Sequence, residues 1–176
     1  MSSEGTPLIH LICGSTGAGK TTYAIRLAQE VGGVRFSIDD WMTALYWMDA
    51  PEPLTAAWSV PRVERCMAQI WSVASQVAAR GVPAVLDHGF GQSAVRQRFI
   101  GLAREAGFSV RLYILNAPAE ERWGRVEARN ANKGETYQLS FDVTREMFDF
   151  VETLWEPPGP EETRTCDCVW VEQPSP

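Results

Sequence analysis

The residues best suited to chemistry in this 176-residue sequence stand in one stretch, GSTGAGKTT, from Gly14 to Thr22. Gly14, four residues, then Gly19, Lys20 and Thr21 spell G-x-x-x-x-G-K-[ST], a loop whose main-chain N–H groups cradle a polyphosphate. The glycines let the backbone wrap closely around the anion. Lys20 supplies a point charge between β- and γ-phosphates, and the Thr21 hydroxyl is suited to hold Mg²⁺. Ser15, Thr16, Gly17, Ala18 and Thr22 fill out the loop as expected nucleotide contacts. The apolar run from Leu8 to Cys13 reads as a buried parallel strand before the loop. After it, Tyr23, Ala24, Leu27, Ala28 and Val31 recur at helical spacing until Gly32-Gly33. Strand, glycine loop and helix together aim a helix N-terminus at one anion.

Other chemistry-bearing residues follow other apolar runs. Asp39 and Asp40 come after VRFS, and Asp87 and His88 come after VPAVL. Arg122, Arg125 and Arg129 are spaced three and four apart and share a helical face. Phosphoryl transfer needs a group to position the nucleophile, a metal ligand and cations on the moving charge. In this reading Asp39 works on the acceptor while Asp40 or its neighbour caps the next helix. Asp87 holds Mg²⁺ directly or through water. His88 is expected to be a hydrogen-bonded neighbour of Asp87, and His10 to be buried in the first strand. A surface pair with Glu121 explains Arg125, but one such pair does not explain all three arginines. Trp41, Trp47 and Trp58 flank the loop after the second strand. They read as core residues, although an acceptor site lined by aromatics would be built there.

The remaining elements must carry these groups. Strands are expected over 8–13, 34–37, 82–86, 108–115 and 166–171. A short helix spans about 40–48 and the APEPL stretch is a loop. A long helix starts near Pro61, with Val63, Met67, Ile70, Ala74 and Val77 on one face, and stops at Gly81. Val95, Phe99, Leu102 and Ala106 mark the next helix, and AEERWGRVEARN the one after it. Then come the polar ANKGETYQ, a helix through MFDFVETLW and the loop EPPGPEE. Five strands alternating with helices require a parallel sheet covered on both faces, with ligands beyond the strands' carboxyl ends.

Length predicts a single domain over residues 1–176. The 45% hydrophobic and 22% charged content is that of an ordinary globular chain. A net charge of −6 argues against a broad nucleic-acid surface. No signal peptide and no membrane span are expected, so a cytoplasmic enzyme is the consistent reading. The four cysteines do not form a disulfide framework. Cys166 and Cys168 share one face of the last strand, and all four read as core thiols.

With GSTGAGKTT, FSIDDWM, VLDHGFG with Arg96 beyond it, REAGFSVRLYILNAPAEERWGRVEARN and WEPPGPEE in place, the chain resembles the AAA-33 group of P-loop kinases. These are small ATP-binding proteins related to zeta toxins, chloramphenicol phosphotransferase and polynucleotide kinase. The resemblance implies a three-layer αβα P-loop NTPase fold of the adenylate-kinase type. Its parallel sheet would run in the order 2-3-1-4-5, with a small lid over about 122–140. It implies ATP-dependent kinase chemistry with Mg²⁺ but not the acceptor, which is expected to be a hydroxyl of a small molecule. Asp39 matches the acceptor-activating aspartate, Arg125 and Arg129 the lid arginines, and Arg96 an arginine on the acceptor side. With Asp40 and Asp87, Asp39 and Arg96 form the expected acceptor site.

Three rivals stand beside this. NKGE at 132–135 looks like a guanine-reading motif but follows a charged helix, so it is read as lid. An ATP-driven switch would hydrolyse ATP without an acceptor, yet the third strand ends in Asp-His rather than paired acids. A zeta-toxin-like kinase would act on a nucleotide sugar.

Overall fold

A computed structural model describes residues 8–132 and 142–172. The ANKGETYQ segment, including most of NKGE, falls largely outside the described residues. Five parallel strands form one sheet in the order β2-β3-β1-β4-β5. They are β1 (Ile9–Cys13), β2 (Val34–Ser37), β3 (Ala84–Gly89), β4 (Val110–Leu115) and β5 (Asp167–Val171). The helices are α1 (Lys20–Glu30), α2 (Ile38–Tyr46), α3 (Ala56–Ala78), α4 (Ser93–Glu105), α5 (Ala119–Ala131), α6 (Arg145–Thr153) and α7 (Pro160–Thr165).

Side chains alternate across a strand, so β1 serves both faces of the sheet. Ile9, Leu11 and Cys13 pack with Met67, Ile70 and Ala74 of α3 and Phe99 and Ile100 of α4. Ile12 turns the other way and joins Ala24, Leu27 and Ala28 of α1. His10 lies on that second face, 1% exposed, with Nδ1 3.1 Å from the Tyr113 hydroxyl. Its predicted burial holds. Cys13 and Cys66 are buried, and Cys166 and Cys168 pack against the α3/α4 core. No disulfide joins them. Burial pushes the Cys13 thiol up to about 11, which keeps it inert.

Five expectations require correction. β3 does not stop before Asp87 but runs on to Gly89, because Ser37 pairs with Asp87 and Cys13 with Gly89. Asp87 and His88 are therefore strand residues. α3 begins at Ala56, so Pro61 lies inside the helix rather than at its start. Arg62 stacks over Trp58 at 4.4 Å and donates to its carbonyl at 2.7 Å, tying the first turn to the helix body. The inward face of α4 holds Arg96, Phe99, Ile100 and Ala103, whereas Ala106 is exposed. EPPGPEE is not all loop, since Pro160 stands at the first turn of α7, where its missing N–H costs nothing. Finally, Ser37 caps α2, its hydroxyl accepting from the Asp40 N–H at 3.2 Å. Neither Asp39 nor Asp40 is the cap.

Candidate active site

A cleft of about 1330 Å³ opens at the carboxyl ends of β1, β2 and β3. The phosphate loop forms one wall. Gly14 donates to the Gly89 carbonyl at 3.0 Å, fastening the loop's start to the end of β3. Gly17 has a φ of 77°, and a Cβ there would stand 2.4 Å from the Arg122 carbonyl. Only glycine lets the loop pass the start of α5. Gly19, at a φ of 79°, is the N-cap of α1, and no side chain caps that helix. The first-turn N–H groups thus remain for an anion. Lys20 Nζ donates to the Ser15 carbonyl at 2.8 Å, which holds the ammonium within the loop. Burial lowers the Lys20 pKa, and the nearby Asp87 and Asp39 charges oppose that fall.

The acids come from the neighbouring strands. Arg35 grips Asp87 Oδ2 through Nε at 3.1 Å and Nη2 at 2.9 Å, and reaches Asp40 Oδ2 through Nη1 at 2.9 Å. Asp40 is thereby turned aside while Asp39 lines the cleft. Asp39 meets solvent but is walled by protein on its other sides. That burial raises its pKa; Lys20 opposes the rise, and Asp87 and Asp40 add to it. The sequence reading missed Arg35. A lone arginine inside an otherwise apolar strand was the available signal.

The three arginines of α5 divide their work. Arg122 is 4% exposed and spends its guanidinium on protein. It donates to Glu152 at 2.7 and 2.5 Å, to the Thr16 carbonyl at 3.1 Å and to the Ala117 carbonyl at 2.8 Å. Glu152 also accepts from the Ser15 hydroxyl, so α6 is latched to the phosphate loop. Arg122 holds Glu152's pKa below the usual carboxylate range. Arg125 and Arg129 line the cleft. Arg125 lies 3.9 Å from Glu121, the predicted surface pair. Arg129 Nη2 is buried with no hydrogen-bond partner among the described residues. An uncapped helix, a held lysine and this orphaned guanidinium nitrogen all fit a polyphosphate. The half-buried Thr21 lines the same cleft, and both Arg35 bonds to Asp87 fall on Oδ2, so the site also suits a divalent cation.

Two predicted site residues behave otherwise. Arg96 is fully buried and lies outside the cleft lining. It donates to Glu162 at 2.6 and 2.9 Å and to the carbonyls of Phe90 and Glu156 at 2.9 and 2.8 Å. It is a clamp inside the protein and not an acceptor contact. His88 has both ring nitrogens buried without a hydrogen-bond partner, stacks on Phe90 and meets Phe99 edge-on. It is not bonded to Asp87. Trp41 packs against the core, and Trp155, unpredicted, lines the cleft in place of Trp41, Trp47 and Trp58.

Burial, helped by the Arg98 charge, lowers the His88 pKa from 6.5 to about 3. The unfolded chain therefore binds a proton that the folded chain refuses as pH falls below 6.5. Stability falls with it, by up to about 1.4 kcal/mol per pH unit. Urea unfolding at about pH 7 and pH 5 checks this. His88→Phe removes that slope, and an unchanged slope would contradict the assignment.

The AAA domain family model AAA-33 matches residues 9–154. No curated protein matches this chain. Among solved structures, Kti12 of Chaetomium thermophilum, in complex with ADP-AlF3, superposes with a TM-score of 0.68 at 14% identity, over 93% of this chain and 88% of that one. A sugar kinase from Janibacter sp. HTCC2649 gives 0.63 at 19% identity, over 96% and 88%. A gluconokinase from Sinorhizobium meliloti 1021 gives 0.61 at 17% identity, over 96% and 85%. At these identities the likeness establishes the fold, that of the P-loop kinases.

Proposed function

The chain belongs to the AAA-33 family of AAA domains, and from that premise we propose that it is an ATP-dependent kinase transferring the γ-phosphoryl group to a hydroxyl of a small molecule. One observation carries the reading. Asp39, just after β2, and Lys20, on the loop after β1, face one cleft across the end of β3, with Arg125 and Arg129 on its wall. A phosphate cradle alone would serve any nucleotide switch. A carboxylate of raised pKa beside it suits a hydroxyl nucleophile.

In this reading the loop from Gly14 to Thr22 holds the ATP phosphates. Asp39 orients the acceptor hydroxyl and takes its proton late. Lys20, Arg125 and Arg129 neutralise the equatorial oxygens of the moving group. Thr21 and Asp87 would hold Mg²⁺, which when bound screens charge on the β- and γ-phosphates. Asp40 acts through Arg35, keeping Asp87 in place. No helix among the described residues is long and apolar enough to cross a membrane.

Lys20→Ala is expected to weaken nucleotide binding by about 2 kcal/mol, roughly thirtyfold. Calorimetric titration with ATP and GTP measures this and the base preference together. Unchanged affinity contradicts the loop assignment. ADP release that ignores added acceptors favours a hydrolytic switch.

A further inference from the structure

The cleft wall formed by α6 is apolar. Met147, Val151 and Leu154 line the cleft with Phe150, and they are 40%, 37%, 40% and 63% exposed. Leu54, ahead of α3, and Ile38, at the start of α2, line it as well. The chain leaving α6 is fixed to the loop after β3. Glu156 donates its N–H to the Gly91 carbonyl at 2.8 Å, and its carboxylate accepts from the Ser93 N–H at 2.7 Å. With the Ser15–Glu152 latch, these bonds lay the apolar face beside the strand ends that carry Asp39 and Asp87.

The arginines of β2 and α4 and the first arginine of α5 are committed. Arg35 is held by Asp87 and Asp40, Arg96 by Glu162, and Arg122 by Glu152. Lys20 belongs to the phosphate loop, and Arg125 and Arg129 stand on α5, which packs against that loop at Gly17. An anionic acceptor would therefore meet Asp39 with Arg35, Arg96 and Arg122 already engaged by carboxylates and with Lys20, Arg125 and Arg129 given to the ATP phosphates in the kinase reading. A polyol would strip water from its hydroxyls against methyl and phenyl groups. An alcohol with an uncharged, apolar body does neither, and burying that body against α6 is favourable.

We propose that the acceptor is an uncharged alcohol whose single reactive hydroxyl is carried on an apolar body. The inference rests on the kinase reading above. In the transfer, a bond forms between the acceptor oxygen and the γ-phosphorus while the bond to the β,γ-bridging oxygen breaks. The hydroxyl proton passes to Asp39 and then to solvent. The products are a neutral body bearing a phosphate monoester, and ADP.

The test uses three matched probes titrated into the protein with a non-hydrolysable ATP analogue: cyclohexylmethanol, glucose and 4-(hydroxymethyl)cyclohexanecarboxylate. Cyclohexylmethanol is expected to bind at least about tenfold more tightly than the other two. Val151→Arg, at a partly exposed position, should reverse the order of the alcohol and the acid. Equal or tighter binding of glucose or the acid to the unaltered protein overturns the inference, as does no binding of cyclohexylmethanol. Nucleotide titration reads the kinase assignment separately. If the analogue fails to bind, that assignment falls; if it binds and the probe order fails, only the acceptor class falls.

Discussion

Asp39→Asn is expected to lower the rate of phosphoryl transfer by about 10²–10⁴-fold, the contribution of a positioned general base. Asparagine keeps the shape of the side chain but removes its basicity. Nucleotide affinity should hold or tighten slightly, because the change deletes a negative charge near the phosphate cradle. The protein wall on one side of Asp39 raises its pKa, Lys20 opposes the rise, and Asp87 and Asp40 add to it. Transfer in the unaltered protein should therefore climb with pH through a value above the ordinary carboxyl range, and that limb should vanish in the variant. Single-turnover transfer paired with calorimetric titration makes both measurements. Full transfer by the asparagine variant would refute the role given to Asp39.

The second large effect is on folding. Arg96→Met leaves the Glu162 carboxylate buried at 7% exposure with its cation gone. The expected loss is about 3–5 kcal/mol, the cost of breaking a buried ion pair from one side. Burial works against the Arg96 charge, but the Glu162 hydrogen bonds outweigh it and hold the guanidinium pKa above its ordinary value. Replacing both partners, Arg96→Met with Glu162→Leu, should recover most of that loss, since two apolar side chains leave no charge stranded. Denaturant midpoints of the three proteins decide it. Equal stability of Arg96→Met and the unaltered chain would remove the clamp from the account. The same guanidinium holds the carbonyl of Phe90, whose φ of 45° is left-handed, so the double variant also tests whether Arg96 shapes the loop after β3.

The legible parts of the fold share a physical character. β2 matches its expected bounds to the residue, and the strand–loop–helix unit around Lys20 nearly so, because each rests on local patterns of apolar spacing and turn chemistry. The short-range rule misjudged Pro61, since proline marks the first turn of a helix only when nothing upstream can extend it. Here a tryptophan and an arginine extend α3, while at α7 the rule would have worked and the proline-rich context hid it.

The sequence by itself determined a phosphate cradle, the parallel sheet beneath it and the carboxylates at its strand ends. Those are set by spacing along the chain, where neighbours in sequence are neighbours in space. Only the tertiary structure decided which charges are locked inside the protein and which line the cleft. Arg96, Arg122 and Arg35 look as available in sequence as Arg125 and Arg129. Their partners Glu162, Glu152 and Asp87 lie 66, 30 and 52 residues away. A charge buried with a distant partner is structural, and one facing a cleft is placed to meet a ligand; no local pattern encodes that difference, because folding alone brings the partners together.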